Sequence, residues 1–461
     1  MTVLALAVLL QAASPKPTAA AAPAPTPAVY AARRQKLVLP AGAIAILRTA
    51  PDPDAMSDPY RPDSDLYYLT GLEEPDGVAV LKPGAPEGER YLLFVRGKNF
   101  AEEQWTGYRL GPDGAKTALG AEKAEPMDQF FDKLPDLLKG VSSLHLSDGG
   151  DAEFRARVLK AFAATGHDSP TERPVLDLAP LVHEMRLIKD PVEIGLMRRA
   201  ASLSADAHKA ALQKVGPGRY EYGLRAVMVE TCLEGGAARM AYPSIVGSGA
   251  NSVILHYDRD DKKMEAGEMI VNDTACEYGR YAADVTRSYP VSGKFSEEQR
   301  AIYDIVLEAQ KAGFGKVKPG ASVADVYKAT VDVIVDGLLR LGILSGTRES
   351  AIASRDFKKF YPHGSSHWLG LDVHDAGSYT FDPDAPRQDR YFTARTVLKP
   401  GMALTVEPGI YIPEGSTTDK KWSNLGVRIE DDVLVTESGM DCLSCAAPRE
   451  VKEIEAALRR K

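Results

Sequence analysis

Four cysteines in 461 residues are too few for a disulfide framework. Cys232, Cys276 and Cys442 read as scattered small apolar residues, and Cys445 completes a C-x-x-C with Cys442. Without a second pair or neighbouring histidines that motif is a poor zinc site, which leaves a bland pair or a local disulfide as its readings. No cysteine precedes Cys232, so a lipid-anchored N-terminus is excluded. The chain also lacks a long basic run, and its net charge of −8 argues against nucleic acid as a partner. The apolar run at residues 4–10 (LALAVLL) falls well short of the roughly 20 residues that a bilayer span takes, so no membrane span is expected. It suits a secretory signal, with small-residue cleavage options such as Ala19-Ala20-Ala21 and an Ala/Pro-rich linker reaching residue 29. The expected destination is therefore periplasmic or secreted. No Lys or Arg precedes the run, which keeps a cytoplasmic tail as the alternative.

What is present divides into two domains, as the length favours. Residues 30–185 alternate strand-like runs (43–46, 78–81, 91–95) with amphipathic stretches (127–138, 152–164), the pattern of an α/β domain. Near residue 186 the sequence RLIKDP turns charged and meets a proline, and Glu193 opens a long helical pattern, so the second domain is placed at 186–461. That half repeats itself. Ala207, Lys209, Ala210, Lys214, Val215, Pro217 and Gly218 recur as Ala309, Lys311, Ala312, Lys316, Val317, Pro319 and Gly320, at one offset of 102 residues. In each copy a helix ends at Pro-Gly, a second helix follows (222–233, 323–341), and strand-like segments come next (269–273 and 281–291; 403–412 and 427–435). Ser296 with Gln299, and Ser322 with Asp325, fit capping boxes. Two such halves make one duplicated α+β domain with a cleft between them.

Five residues of this half carry the chemistry. Asp273 and Asp284 lie in NDTACEYGRYAADVTRSYP, where a turn at residues 277–280 lets a hairpin bring both carboxylates to one face. His367 sits in HGSSHWLGLDVHD, which holds three of the chain's eight histidines. Glu407 precedes Pro408-Gly409, and Glu430 lies in GVRIEDDVLV. Four carboxylates and one imidazole on core-like strands are costly to bury unless cations neutralise them. Carboxylates with a single histidine suit two ions of Mn²⁺, Co²⁺, Zn²⁺ or Fe²⁺ rather than an all-oxygen Ca²⁺ site, and hydrolysis is the natural use. Arg428, two residues before Glu430, shares its strand face and either pairs with a ligand carboxylate or makes an ordinary salt bridge.

The segment from His363 to Asp375 (HGSSHWLGLDVHD) resembles, nearly residue for residue, the signature of the M24 metallopeptidases of pita-bread fold, in their Xaa-Pro aminopeptidase (aminopeptidase P) branch. The order Asp273, Asp284, His367, Glu407, Glu430 matches that family's ligand order. The segments YPSIVGSG (242–249), with Asn251, His256 and Tyr257 after it, and YRPDSDLYYLTG (60–71) are similar too. Thr274-Ala275 departs from the usual Ala-Gly after the first ligand.

The resemblance implies a creatinase/prolidase-like N-terminal domain, a pita-bread catalytic domain, two divalent ions with Mn²⁺ foremost, and cleavage of proline-containing peptides at the bond before proline. It implies that Glu407 shuttles the proton, that His256 and His374 orient substrate and stabilise the tetrahedral intermediate, and that His363 hydrogen-bonds substrate. A structural histidine is the competing reading of those three. Trp368 is either a substrate wall or a core residue. A homodimer or homotetramer is implied as well. Proline dipeptidase is the nearest alternative, and the Ser366-His367-Trp368 sequence resembles the aminopeptidase branch more. A metal-free pita-bread binding protein would have lost ligands, and here all five are present.

Overall fold

A computed structural model describes residues 24–49, 60–165 and 173–459. The signal-like run at residues 4–10 lies outside them. The linker ends sooner than expected, because a helix begins at Pro27 and runs to Lys36.

The first domain is a six-stranded mixed sheet. Ile44–Arg48 pairs antiparallel with Val78–Leu81 and parallel with Leu144–Ser147. Tyr91–Val95 and Lys123–Pro126 extend one side, and Val175–Asp177 the other. The period-2 alternation of these strands sends Ile44, Ile46, Val78 and Val80 to one face, against helices Phe130–Leu138 and Ala152–Ala164. Ala45, Leu47, Ala79 and Leu81 face the other way, into a core that also holds Leu196, Ala200, Tyr281 and Leu369 of the second domain. The two domains therefore share one hydrophobic cluster, and the helix Ala179–Leu187 runs across the expected boundary at 186.

The second domain is built twice. Helices Pro191–Leu212 and Glu221–Glu234 form one pair, Glu297–Phe314 and Val323–Arg340 the other. The Ser296–Gln299 and Ser322–Asp325 capping boxes are present, and a third, Asp190–Glu193, starts the first helix. Both Pro-Gly turns end in a left-handed glycine, Gly218 at φ 84° and Gly320 at φ 85°. A single β-bridge follows each turn at the same offset, Tyr220 to Lys263 and Ser322 to Val397. Equivalent backbone at equivalent positions is what duplication predicts.

The cysteines correct the reading given above. Cys232 and Cys276 are not scattered apolar fillers: they form a fully buried disulfide tying helix Glu221–Glu234 to strand Cys276–Tyr278, and a second disulfide joins Cys442 to Cys445. The sulfurs of the first pair meet across 44 residues of sequence, a distance no local spacing rule reaches.

A buried charge network closes the domain junction. Arg186, 3% exposed, lies 2.7 Å from Asp65, 2.6 Å from Asp372 and 2.5 Å from Asp375. Lys189 donates to Asp375 at 2.7 Å, and Arg61 of the first domain reaches Glu277 at 3.1 Å and Asp372 at 3.2 Å. Asp372 and Asp375 flank His374, so the first domain helps hold that loop. Removing a buried cation that faces three carboxylates leaves charges uncompensated, so Arg186→Met is expected to lower the unfolding free energy by about 3–5 kcal/mol in urea melts. A variant as stable as wild type would show that the network adds no net stability.

Candidate metal centre and active site

The five expected ligands converge, and four of them do so because regular strands stop where they lie. Asp273 is the last residue of Met269–Asp273, opposite Thr286 on one side and Ile245 on the other. Asp284 sits between Tyr281–Ala282 and Thr286–Pro290, after a tight turn in which Gly279 (φ 55°) and Arg280 (φ 72°) both take the left-handed region. Glu277 and Tyr278, expected in the turn, belong to the strand before it.

Glu407 and Glu430 lie at facing interruptions of one long antiparallel hairpin. Val406 pairs with Asp431 and Gly409 with Arg428, leaving residues 407–408 opposite 429–430. Pro408 has no N–H to give the ladder, and its carbonyl accepts from Ile429 N–H at 3.3 Å. His367 is delivered by an irregular segment beside the same strand: Thr405 N–H donates to the His367 carbonyl at 2.9 Å, and Glu407 N–H to the Ser365 carbonyl at 2.8 Å.

Three carboxylates crowd one imidazole nitrogen. His367 Nε2 lies 3.3 Å from Asp284, 3.6 Å from Glu407 and 3.9 Å from Glu430. Burial, opposed by the His367 hydrogen bond, pushes the Asp284 carboxyl up. Burial and the Asp284 charge push Glu430 well up, and burial lifts Glu407 to about 7. Burial disfavours a charged His367, but the hydrogen bond to Asp284 and the Glu407 carboxylate outweigh it and raise its pKa to about 9. Buried carboxylates that repel one another are relieved either by protons or by a cation. The donor set fits divalent ions, and Asp284, His367 and Glu430 each offer one atom within 4.8 Å of the others.

Second partners aim these ligands. Arg428 Nη2 donates to Asp273 at 2.5 Å, so the pairing expected from its strand face is present. Residues not singled out above as functional complete the set. Tyr242 O–H donates to Asp273 at 2.6 Å, and Thr286 O–H to Glu430 at 2.7 Å. Arg428 Nη1 donates to the Tyr411 hydroxyl at 2.8 Å, and that hydroxyl donates on to His363 Nε2 at 2.9 Å. Tyr411 lies diagonally from Arg428 across Gly409, where a Cβ would meet the tyrosine oxygen at 2.6 Å. Thr286 was findable as the residue two beyond Asp284, and Tyr242 opens a segment already noted. Tyr411 needed the hairpin register.

The cleft histidines differ among themselves. His363 has both ring nitrogens engaged, Nδ1–H donating to the Gly364 carbonyl at 2.7 Å, and burial with the Arg428 charge holds it neutral, its pKa lowered to about 3. His374 stacks on His367 with ring centres 4.1 Å apart and stands at the solvent side, as does His256. The His367 charge, then burial, lowers the His374 pKa to about 4. Trp368 is not a substrate wall: it is fully buried, stacked on Tyr379 at 5.2 Å, and packs into the core with Leu404 and Val406.

A family model described as metallopeptidase family M24 matches residues 195–437, and one for the aminopeptidase P N-terminal domain matches residues 30–146. The chain belongs to metallopeptidase family M24. It is 38% identical to the Xaa-Pro aminopeptidase of Escherichia coli (strain K12), over 92% of this chain and 96% of that protein. It is 33% identical to the mitochondrial intermediate cleaving peptidase 55 of Arabidopsis thaliana, over 93% of this chain and 82% of that one. Its fold is similar to that of aminopeptidase PepP from Pseudomonas aeruginosa, with a TM-score of 0.88 and 40% identity covering 94% of this chain and 98% of that one. Membership in a metallopeptidase family implies divalent metal ions, and the cluster around His367 has a donor set that suits them.

The cluster's proton affinities set a pH dependence. The three lifted carboxyls bind protons more tightly folded than unfolded, so their contribution to stability falls as pH rises above the ordinary carboxylate range, for Glu407 through about 7. His367, raised to about 9, contributes stability below about 6.5 that is lost as pH rises through its folded value. All four weaken the metal-free protein as pH rises, and a divalent cation takes the protons' place. The rise in Tm on adding Mn²⁺ to chelator-treated protein is therefore expected to be larger at about pH 8 than at about pH 5.5 in calorimetry. An equal or smaller rise at the higher pH would contradict this account.

Proposed function

We propose that the protein is an Xaa-Pro aminopeptidase, removing the first residue from peptides whose second residue is proline. The observation that carries the reading is the cluster of Asp284, Glu407 and Glu430 around His367 in a chain 38% and 37% identical, over most of its length, to proteins of that name. Asp273, Asp284, His367, Glu407 and Glu430 would hold two divalent ions. We assign Mn²⁺ to them because the donors are mostly carboxylates, with Co²⁺, Zn²⁺ and Fe²⁺ as alternatives. The chemistry that such ions supply is Lewis acidity toward a peptide carbonyl and acidification of water at neutral pH.

The chain's own groups do the rest. Glu407, 3.5 Å from His363 and 3.6 Å from His367, passes a proton from water to the departing proline nitrogen. Arg428 and Tyr242 fix the Asp273 carboxylate through one oxygen each, so it cannot rotate away. His256 and His374, at the open side, orient the substrate carbonyl and stabilise the charge it develops. His363, held by Tyr411, is a wall of the cleft beside Glu407 at 3.5 Å. Proline has no N–H and a fixed φ, so a pocket shaped for its ring rejects other second residues by shape.

A groove lined by His363, Gly364, Arg390 and Tyr391 opens next to His363, and we assign it to peptide residues beyond the proline. That favours an aminopeptidase over a dipeptidase. The expected outcome is a higher kcat/KM on Xaa-Pro-Yaa peptides than on Xaa-Pro dipeptides at equal metal loading, with near-complete loss of turnover in Glu407→Gln. Better cleavage of the dipeptides would make the protein a proline dipeptidase.

Two further assignments belong to the same reading. Phe100, Trp105 and Tyr108 are 78%, 89% and 95% exposed around one short helix of the first domain, an apolar patch suited to a homodimer or homotetramer contact. Export to the periplasm or outside the cell accords with the signal-like run at residues 4–10 and with two disulfides. Mass spectrometry of the native protein is expected to find a mature N-terminus after the Ala/Pro stretch. An intact Met1-Thr2 terminus would refute export.

A further inference from the structure

The C-x-x-C pair is not used by the chemistry above, yet it lies directly behind the metal centre. Cys442 ends the edge strand Met440–Cys442, which pairs with Asp431–Val435 immediately after Glu430. Between the two cysteines the chain returns to that strand. Leu443 N–H donates to the Asp432 carbonyl at 2.8 Å, Asp432 N–H donates to the Ser444 hydroxyl at 2.9 Å, and that hydroxyl donates to the Asp431 carboxylate at 2.6 Å. The Asp432 carboxylate in turn accepts from Asp284 N–H at 3.1 and 3.2 Å. Arg287 binds the loop beyond, donating to the carbonyls of Ala447 and Pro448 and, at 2.6 Å, to that of Glu430. The disulfide loop is thus one layer of side chains away from two ligands.

The pair is also built to be opened. Both cysteines are partly exposed, whereas Cys232 and Cys276 are fully buried. Arg449 Nη1 faces Cys445 Sγ and donates to the Asp431 carboxylate at 3.0 Å. A guanidinium beside one sulfur stabilises that sulfur as a thiolate and so makes it the better leaving group in exchange.

We propose that Cys442–Cys445 is a reducible dithiol–disulfide site, and that its redox state sets how firmly Ser444 braces Asp431 and Asp432 behind Glu430 and Asp284, and with it the metal affinity of the centre. The reductant is a dithiol. One of its thiolates attacks Cys442 Sγ, the Cys442–Cys445 bond breaks, and Cys445 leaves as a thiolate paired with Arg449. The reductant's second thiolate then attacks its own sulfur in the mixed disulfide, closes a disulfide there and releases Cys442. Two electrons pass from the dithiol to the protein, and the reductant's two protons are released or taken up by the cysteines. The exchange stands on the loop geometry alone, while its consequence for metal rests on the metal-centre reading.

The experiment equilibrates full-length, folded protein in mixtures of reduced and oxidised dithiothreitol, alkylates free thiols and locates the labels by peptide mass. Affinity for Mn²⁺ is read in parallel by chelator competition. Two labels are expected, on Cys442 and Cys445, at potentials where Cys232 and Cys276 stay closed and the far-ultraviolet circular dichroism is unchanged. Reduced protein is expected to bind Mn²⁺ about tenfold more weakly, as loss of an outer hydrogen-bond partner does. Ser444→Ala should show the weaker affinity in both redox states. Arg449→Met should make the pair about tenfold harder to reduce, a shift of about 30 mV. A Cys442–Cys445 pair that opens only when the protein unfolds would overturn the redox site, and opening with unchanged Mn²⁺ affinity would overturn the coupling. Activity of the oxidised protein on Xaa-Pro-Yaa peptides tests the aminopeptidase reading separately.

Discussion

Four carboxylates brought together around one imidazole repel each other, and burial multiplies that repulsion because little solvent screens it. Much of the second domain can be understood as the means of holding them there. Four of the five are placed by backbone pairing that is strong and nonlocal: Asp273 by the centre of a three-stranded sheet, Glu407 and Glu430 by a hairpin interrupted on both strands, His367 by a segment that borrows that hairpin's edge. The ladder on either side of each break keeps the positions fixed while the break frees the side chains to converge. Arg428 supplies one permanent positive charge, and the cations for which the donor set is suited supply the remainder.

The second ring of partners explains why so many buried polar residues surround the site. Tyr242, Thr286 and Tyr411 each spend a hydroxyl on a ligand or on the arginine that holds one. Behind them Asp431 and Asp432 sit fully buried, Asp431 satisfied by Arg287, Arg449, Gln310 and Ser444. That shelf ends at the Cys442–Cys445 loop. At the opposite side the loop carrying His374 is tied down by Arg186 and Lys189 and by Arg61 of the first domain, so the position of that loop depends on the domain junction. The first domain is thus part of the site's support even though it provides no ligand.

Local pattern predicted the regular elements well. The strands at 78–81, 91–95 and 269–273 and the helix at 152–164 have the expected limits, because alternation of apolar residues and helix caps are local signals. It misjudged the continuous strands 281–291, 403–412 and 427–435, each of which breaks at a ligand. Those breaks are invisible to hydrophobic pattern, since Val406, Ile410, Val427 and Val433 on either side are all core residues. Trp368 was ambiguous for a similar reason: a large aromatic beside a ligand fits a core and a cleft equally until the packing is known.

The sequence by itself singled out the five residues that cluster in the second domain, the duplication with its paired Pro-Gly turns, and the two-domain plan, because these are written in residue types and spacings. Tertiary structure alone decided which atoms meet. The diagonal of Arg428 and Tyr411 across Gly409, the partner of Asp431 in Arg287, and the closure of Cys232 on Cys276 all join residues from different strands and helices. No local propensity encodes such contacts. They follow from sheet register and from the burial that makes an unpartnered charge or hydroxyl too costly to leave.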